Sequence, residues 1–194
     1  MRVKPLLSFL VLPALFLALA ANGQEQPRLT FKGLGEIRIG MTPSQAKKLG
    51  FQVTTGGPWG EVGDADFIAC HYLDNAPNFP DIALMVNDGR VVRIDVTFNS
   101  SHGWQSYSGA KIGMSETTVA NIYGRWLKTS GHPYLDEAGS YLTLKSSDGR
   151  HAMTFETSVK AMDGDGLKIK SQPKYVTDFR AGLASAVGYI EGCA

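Results

Sequence analysis

Arg38-Ile39-Gly40-Met41-Thr42-Pro43 and Lys111-Ile112-Gly113-Met114-Ser115-Glu116 are nearly the same phrase written twice, 73 residues apart in a chain of 194. Each sets a basic residue, Ile, Gly and Met before a hydroxyl that can cap a helix. Self-similarity at a fixed spacing is the signature of one supersecondary unit used twice, because a unit too small to bury its own apolar face does so against its neighbour. The repeat therefore predicts an α+β fold made of two tandem helix-plus-antiparallel-sheet units. It carries no chemistry of its own.

The first twenty residues predict export. Arg2 and Lys4 precede an apolar run from Leu6 to Leu19, and Ala18-Leu19-Ala20 offers the small residues a signal peptidase requires. The run is short beside the roughly 20 residues of a membrane-spanning helix, and Pro13 interrupts it. Cleavage is expected near Ala20/Ala21. With no Cys there to accept lipid, no stable membrane anchor is expected, which points to a periplasmic or secreted protein. Removing the signal leaves 17 basic and 18 acidic side chains, a net charge of −1, so no basic field for nucleic acid remains. Cys70 and Cys193 are the only cysteines, and an even count in an oxidising compartment predicts a disulfide. Closing a loop of more than 120 residues, it would stabilise by about 4 to 5 kcal/mol in the chain-entropy model.

Local signals divide the mature chain. After an N-terminal segment (21–34), the first repeat (35–98) opens with a helix from Pro43 to Leu49. Thr42 is its N-cap, Gln45 completes a capping box and Gly50 stands past its end. Strands follow at Phe67 to Leu73, Ile82 to Val86 and Val91 to Phe98, the last two joined by the turn Asn87-Asp88-Gly89. A linker (99–108) leads to the second repeat and C-terminal tail (109–194). There Ser115 caps a helix bearing Val119, Ile122, Tyr123 and Trp126 on one stripe and running towards Gly131. Strands are predicted at Tyr141 to Lys145, His151 to Thr157 and Tyr175 to Arg180. Ser158 to Lys174 reads as an inserted polar loop, and Ala186 to Ile190 as an edge strand. Aligning Ala83-Leu84-Met85-Val86 with Ala152-Met153-Thr154-Phe155 gives the strand from Tyr175 a counterpart at Val91. A rival alignment of Asp88-Gly89-Arg90 with Asp148-Gly149-Arg150 leaves it none.

The residues give little support to catalysis. His71, His102, His132 and His151 are scattered, with neither an HExxH spacing nor a Gly-x-Ser-x-Gly elbow. Pairing with Asp66, Asp74 or Glu36 would have to be made in space. Asp163-Gly164-Asp165-Gly166 has carboxylates for calcium but lacks the remaining ligands of a calcium loop, and Gly56-Gly57 lacks a phosphate-loop context. No metal and no cofactor are expected. The aromatic loops are the better lead: Trp59, Phe79, Trp104 and Tyr107 stand among turn residues, where large rings either form a binding face or fold back to cover the sheet ends.

The doubled Ile-Gly-Met phrase, the sheet strands after each helix and the export signal together resemble the repeat shared by beta-lactamase-inhibitor proteins and BamE-like outer-membrane-assembly lipoproteins. The chain also looks like exported bacterial proteins ending in Tyr-x-Glu-Gly-Cys, here Tyr189 to Cys193. The lipoproteins carry an N-terminal lipidated Cys that this chain lacks, and the inhibitors place disulfides within each repeat. The resemblance implies a helical layer on a sheet and a tendency to bind proteins. The expected function is thus a non-catalytic exported binding module engaging another envelope or secreted protein through sheet faces and aromatic loops. The alternatives are an envelope-directed hydrolase using a His/carboxylate pair, and small-ligand binding between the repeats.

Overall fold

A computed structural model describes residues 26–53, 69–97, 102–160 and 172–193. The fold is mixed helix and sheet, dominated by antiparallel strands. A two-residue pair, β1 (Gly33–Leu34) and β2 (Ile37–Arg38), precedes helix α1 (Pro43–Lys48). Four strands follow: β3 (Gln52–Val53), β4 (Cys70–Asp74), β5 (Ile82–Asn87) and β6 (Arg90–Val96). Helix α2 (Glu116–Tyr123) then leads to β7 (Lys128–His132), β8 (Asp136–Lys145), β9 (His151–Val159) and β10 (Lys174–Leu183), and the chain closes with the one-turn α3 (Ala184–Val187). Strands β3 to β10 form one sheet in the order β3-β4-β5-β6-β10-β9-β8-β7, so β6 and β10 meet at its centre.

The helix starts follow from local chemistry. The Thr42 hydroxyl accepts from the Gln45 amide at 3.3 Å and the Gln45 side chain accepts from the Thr42 amide at 2.8 Å, a complete capping box. Ser115 accepts from the Thr118 amide at 3.2 Å. Gly40 and Gly113, the glycines of the doubled phrase, both take positive φ, at 91° and 86°. Without a Cβ they turn at little steric cost, and each turn docks its phrase on the sheet through two reciprocal bonds. Gly40 N–H donates to Val91 O (2.7 Å) and Val91 N–H to Met41 O (2.9 Å). Gly113 N–H donates to Val176 O and Val176 N–H to Met114 O, both at 2.8 Å.

Three expectations are corrected. Helix α2 stops at Tyr123, because Gly124 leaves the helical region (φ 54°) and a 3-10 turn follows. The next residues, Lys128–His132, pair with β8 as an edge strand, and Trp126 is left exposed beyond the apolar stripe. Ala186 to Ile190 is no edge strand: α3 turns the chain back over the sheet, burying Ala186 and Val187 against it. Strand β8 begins at Asp136, five residues before the expected Tyr141, because β7 supplies backbone partners for that stretch. Residues 1–20 and the loop at 161–171 lie outside the described residues, as does Trp59.

Alternation along the strands separates the two faces. Leu84, Ile94, Leu142, Leu144, Met153, Phe155 and Phe179 point to the helix side and form the main core with Val119 and Tyr123 of α2. Residues of opposite parity (Tyr72, Arg93, Asp95, Tyr141, Thr154, Glu156 and Arg180) share the other face. The C-terminal segment 184–193 crosses that second face as a strap. Its first anchor is a small apolar cluster of Met85, Val92 and Ala186, and its last is a disulfide from Cys193 to Cys70 on β4, with sulfurs 2.10 Å apart. At the β6–β10 seam Gly182 is required: a Cβ there would lie 2.2 Å from the carbonyl oxygen of Val92. Among the described residues no helix is long and apolar enough to cross a membrane.

Candidate binding cleft on the strapped face

Two of the expected loop aromatics are structural. Phe79 and Trp104 are 7% and 4% exposed and stack at 6.3 Å between ring centroids, with Phe51 stacked on Phe79 at 5.7 Å. The Trp104 indole N–H donates to Pro80 O at 2.7 Å. They cover the end of the sheet, and rings so enclosed have no face left for a partner. Trp104→Ala should lower stability by about 3–5 kcal/mol, read by urea denaturation. A loss below about 1 kcal/mol would contradict this core role. Tyr107, 39% exposed, packs on Phe31 and Tyr123 and is the one described member with a substantial free surface.

The chemistry concentrates beneath and beside the strap. Arg93, buried on β6, engages every nitrogen of its guanidinium. Nε–H donates to the Asp95 carboxylate (3.0 Å), Nη1 to the carbonyls of Ala186 (2.9 Å) and Tyr189 (2.8 Å), and Nη2 to the Tyr72 hydroxyl (2.5 Å). Arg180 on β10 is also buried. It donates from Nε to Val187 O (3.0 Å) and from Nη1 to Glu156 Oε2 (3.0 Å), and lies under the Tyr141 ring at 5.1 Å. Two arginines of the sheet thus satisfy three carbonyls of the strap. A planar guanidinium fork suits this, since it presents five donors in fixed directions.

Glu156 links that network to a histidine. Its Oε1 lies 2.8 Å from His132 Nε2, while His132 Nδ1 lies 3.1 Å from the backbone nitrogen of Tyr134. A backbone N–H can only donate, so Nδ1 is the acceptor and the ring proton sits on Nε2, donated to Glu156. The imidazole is neutral, with its lone pair already engaged. The carboxylate too is held at both oxygens. This is a positioned hydrogen-bond relay from β7 through β9 to β10, assembled from residues 24 apart at each step. His102 meets Asp81 at 3.1 Å on the exposed surface, and neither carboxylate was among those considered from sequence. Among the described residues no group of three or more His, Cys, Asp or Glu is placed to hold a metal ion.

Above the relay opens a pocket of about 440 Å³ lined by Tyr134, Tyr141, Glu156, Ile190 and Glu191. It adjoins a second, of about 390 Å³, walled by Tyr141, Thr143, Thr154 and Arg180 on the sheet and by Ala184, Val187 and Ile190 on the strap. The Tyr134 hydroxyl donates to Glu191, bridging the β7–β8 turn to the strap. Tyr134 is 61% exposed and Ile190 42%, and Tyr189 is exposed beside them. None of these residues stood out in the sequence as a binding candidate. Their signal was the alternation itself: Tyr141 and Thr143 between Leu142 and Leu144, and Thr154 and Glu156 around Phe155, mark a polar sheet face opposite the core.

Burial raises the titration of Tyr72, Tyr107, Tyr123 and Tyr141, and most strongly of the first and third. It pushes Tyr72, under the strap, up to about 12, with the Asp95 carboxylate adding to the rise and Arg93 and Arg180 opposing it. It also pushes Tyr123 up to about 12, against a pull from its hydrogen bond to Ser106 (2.7 Å). Both folded values exceed the unfolded value near 10, so their contribution to stability is complete below pH ~10 and is lost as pH rises towards ~12. Ultraviolet titration should show these two lagging among the seven tyrosines, with loss of the folded signal in that window. Titration of Tyr72 and Tyr123 together with the other tyrosines, half-complete near pH ~10 in a still-folded protein, would contradict it.

Compared with models of protein families, with curated proteins and with solved structures, the chain finds no match in any of the three.

Proposed function

We propose that this chain is a non-catalytic, extracytoplasmic binding module, built from a duplicated helix-plus-four-strand unit, that engages another envelope or secreted protein through its strapped sheet face. Duplication is supported by the matched docking bonds of the two Ile-Gly-Met phrases and, among the described residues, by the parallel order of α1 with β3–β6 and α2 with β7–β10 on the two sides of the β6–β10 seam. An extracytoplasmic home is supported by the Cys70–Cys193 bridge. The observation that carries the functional reading is the exposed pair Tyr134 and Ile190 on the cleft lining, with exposed Tyr189 next to Ile190 in the chain, over a floor in which His132, Glu156 and Arg180 are hydrogen-bonded to one another. Rigid, partly apolar rings at the edge of a concave site are what interface hot spots are made of.

The binding face therefore moves from the aromatic loops to the strap side of the sheet. The hydrolase reading has the His132–Glu156 contact in its favour. Against it, a general base needs a lone pair within reach of substrate, and both imidazole nitrogens and both carboxylate oxygens are engaged within the protein. Small-ligand binding between the repeats draws less support, since the paired pockets lie within the β7–β10 half.

The test is affinity capture from envelope and culture fractions with the oxidised mature protein, comparing wild type, the double variant Tyr134→Ala/Ile190→Ala, and Tyr107→Ala. The expected result is a specific protein retained by wild type and Tyr107→Ala and lost by the double variant, whose thermal midpoint is unchanged. Capture that survives the double variant, or a wild type that retains nothing, would refute the proposal.

A further inference from the structure

We infer that the pocket between Tyr134, Tyr141, Glu156 and Glu191 receives a cationic side chain, an arginine or lysine, of the protein partner. The inference rests on the binding-module reading and names the chemistry of its site.

Charge is the first ground. Among the described residues, the pocket lining carries two carboxylates and no basic side chain. Glu156 is matched by Arg180 from below, at 3.0 Å. Glu191 is not matched: its partner is the neutral Tyr134 hydroxyl, and among the described residues no cation stands with it. Among the described residues, the exposed wall thus holds one carboxylate without a counter-charge, at the rim of a concavity.

The second ground is the pair of rings. Tyr134 and Tyr141 both line the pocket, and the negative face of a tyrosine attracts a guanidinium or ammonium, more strongly where water is excluded. The protein already makes such an arrangement in its own interior: Arg180 lies on Tyr141 with Glu156 as its counter-ion. Tyr134 and Glu191 set a second ring beside a carboxylate, here joined by the hydroxyl-to-carboxylate hydrogen bond, with no cation standing with them among the described residues. A side chain entering from solvent would complete it.

The third ground is that the site is held in shape. His132, hydrogen-bonded to Glu156 and to the Tyr134 backbone, lies against both rings, with centroids 6.2 Å from Tyr134 and 4.9 Å from Tyr141. On the opposite wall, Glu191 lies two residues from the disulfide at Cys193, and Tyr189 is held by Arg93. A pre-shaped wall avoids the ordering cost that a free C-terminal tail would incur on binding.

The probes are N-acetyl-arginine amide and its uncharged citrulline counterpart, titrated into the full oxidised protein while backbone amide NMR shifts are followed. The arginine compound should give saturable shifts at Tyr134, Glu156 and Glu191 and the citrulline compound none. Glu191→Gln should weaken arginine binding about tenfold, and Glu36→Gln, on the distant β1–β2 turn, should leave it unchanged. Reduction of the disulfide should weaken it as well. Equal response to citrulline, no saturable shifts, or wild-type binding in Glu191→Gln overturns the inference. Failure of the two ideas can be told apart. If wild type and Glu191→Gln capture the same envelope protein equally, the pocket assignment falls and the binding module stands. If the arginine probe saturates but no protein is captured, the reverse holds.

Discussion

Arg93→Ala is expected to destabilise the protein by about 3–5 kcal/mol, the range for removing one partner of a buried charged network. Arg93 is buried and stacked over the Tyr72 ring, and the larger part of the cost lies in the polar partners it leaves unpaired. Deletion leaves the Asp95 carboxylate without its counter-ion, and the carbonyls of Ala186 and Tyr189 and the Tyr72 hydroxyl without a donor. Burial already pushes the Asp95 carboxyl above its ordinary value, and Arg93 is the main group pulling it back. In the variant Asp95 should rise further and take up a proton at higher pH. The loss of stability should therefore be larger at pH 7 than at pH 4, since a protonated Asp95 needs no counter-ion. Urea denaturation at the two pH values measures both effects. Arg93→Lys should rescue little, because one ammonium cannot reach four acceptors in the directions of the guanidinium fork. A cost under about 1 kcal/mol, or an equal cost at both pH values, would show that the strap is held by other means.

Cys193→Ser is the second large effect. The bridge spans 123 residues, and for loops of this length the chain-entropy model gives about 4–5 kcal/mol. Its removal frees the end of the strap, while Arg93 and Arg180 still grip Ala186, Val187 and Tyr189. Calorimetry should show a single lowered transition in the oxidised-free variant, with Ile190 and Glu191 gaining amide exchange before the sheet does. Because Arg93 and the bridge hold the same segment, the double variant should cost less than the sum of the singles, by more than the ~0.5 kcal/mol scatter expected for independent sites. Strict additivity would mean that the two anchors act on separate structures.

How much of this was legible beforehand depends on the range of the interactions concerned. The Thr42 and Ser115 caps and the Asn87-Asp88-Gly89 hairpin were readable because each is decided within a few residues. Strands β5, β6 and β9 were readable because apolar residues mark a core face. Strand β7 was not: Lys-Thr-Ser-Gly-His carries no apolar alternation, and it is a strand because β8 offers it backbone partners. Likewise Ala186 to Ile190 has the composition of a strand, and it becomes a turn of helix and a strap because Arg93 and Arg180 capture its carbonyls.

The cleft follows the same division. Cysteine parity alone pointed to the pairing of Cys70 with Cys193, but nothing local told that the bridge would draw the tail across a sheet face. Trp104 in a glycine-rich loop has the sequence of an exposed anchor, and its burial depends on where the end of the sheet falls. His132, Glu156 and Arg180 are each unremarkable in sequence and meet only because three strands fix their register. Short-range geometry, written in caps, turns and alternation, set the elements and the two faces of the sheet. Which face would carry the cleft was left to long-range pairing and to the buried charges that satisfy a strap the local code leaves undefined.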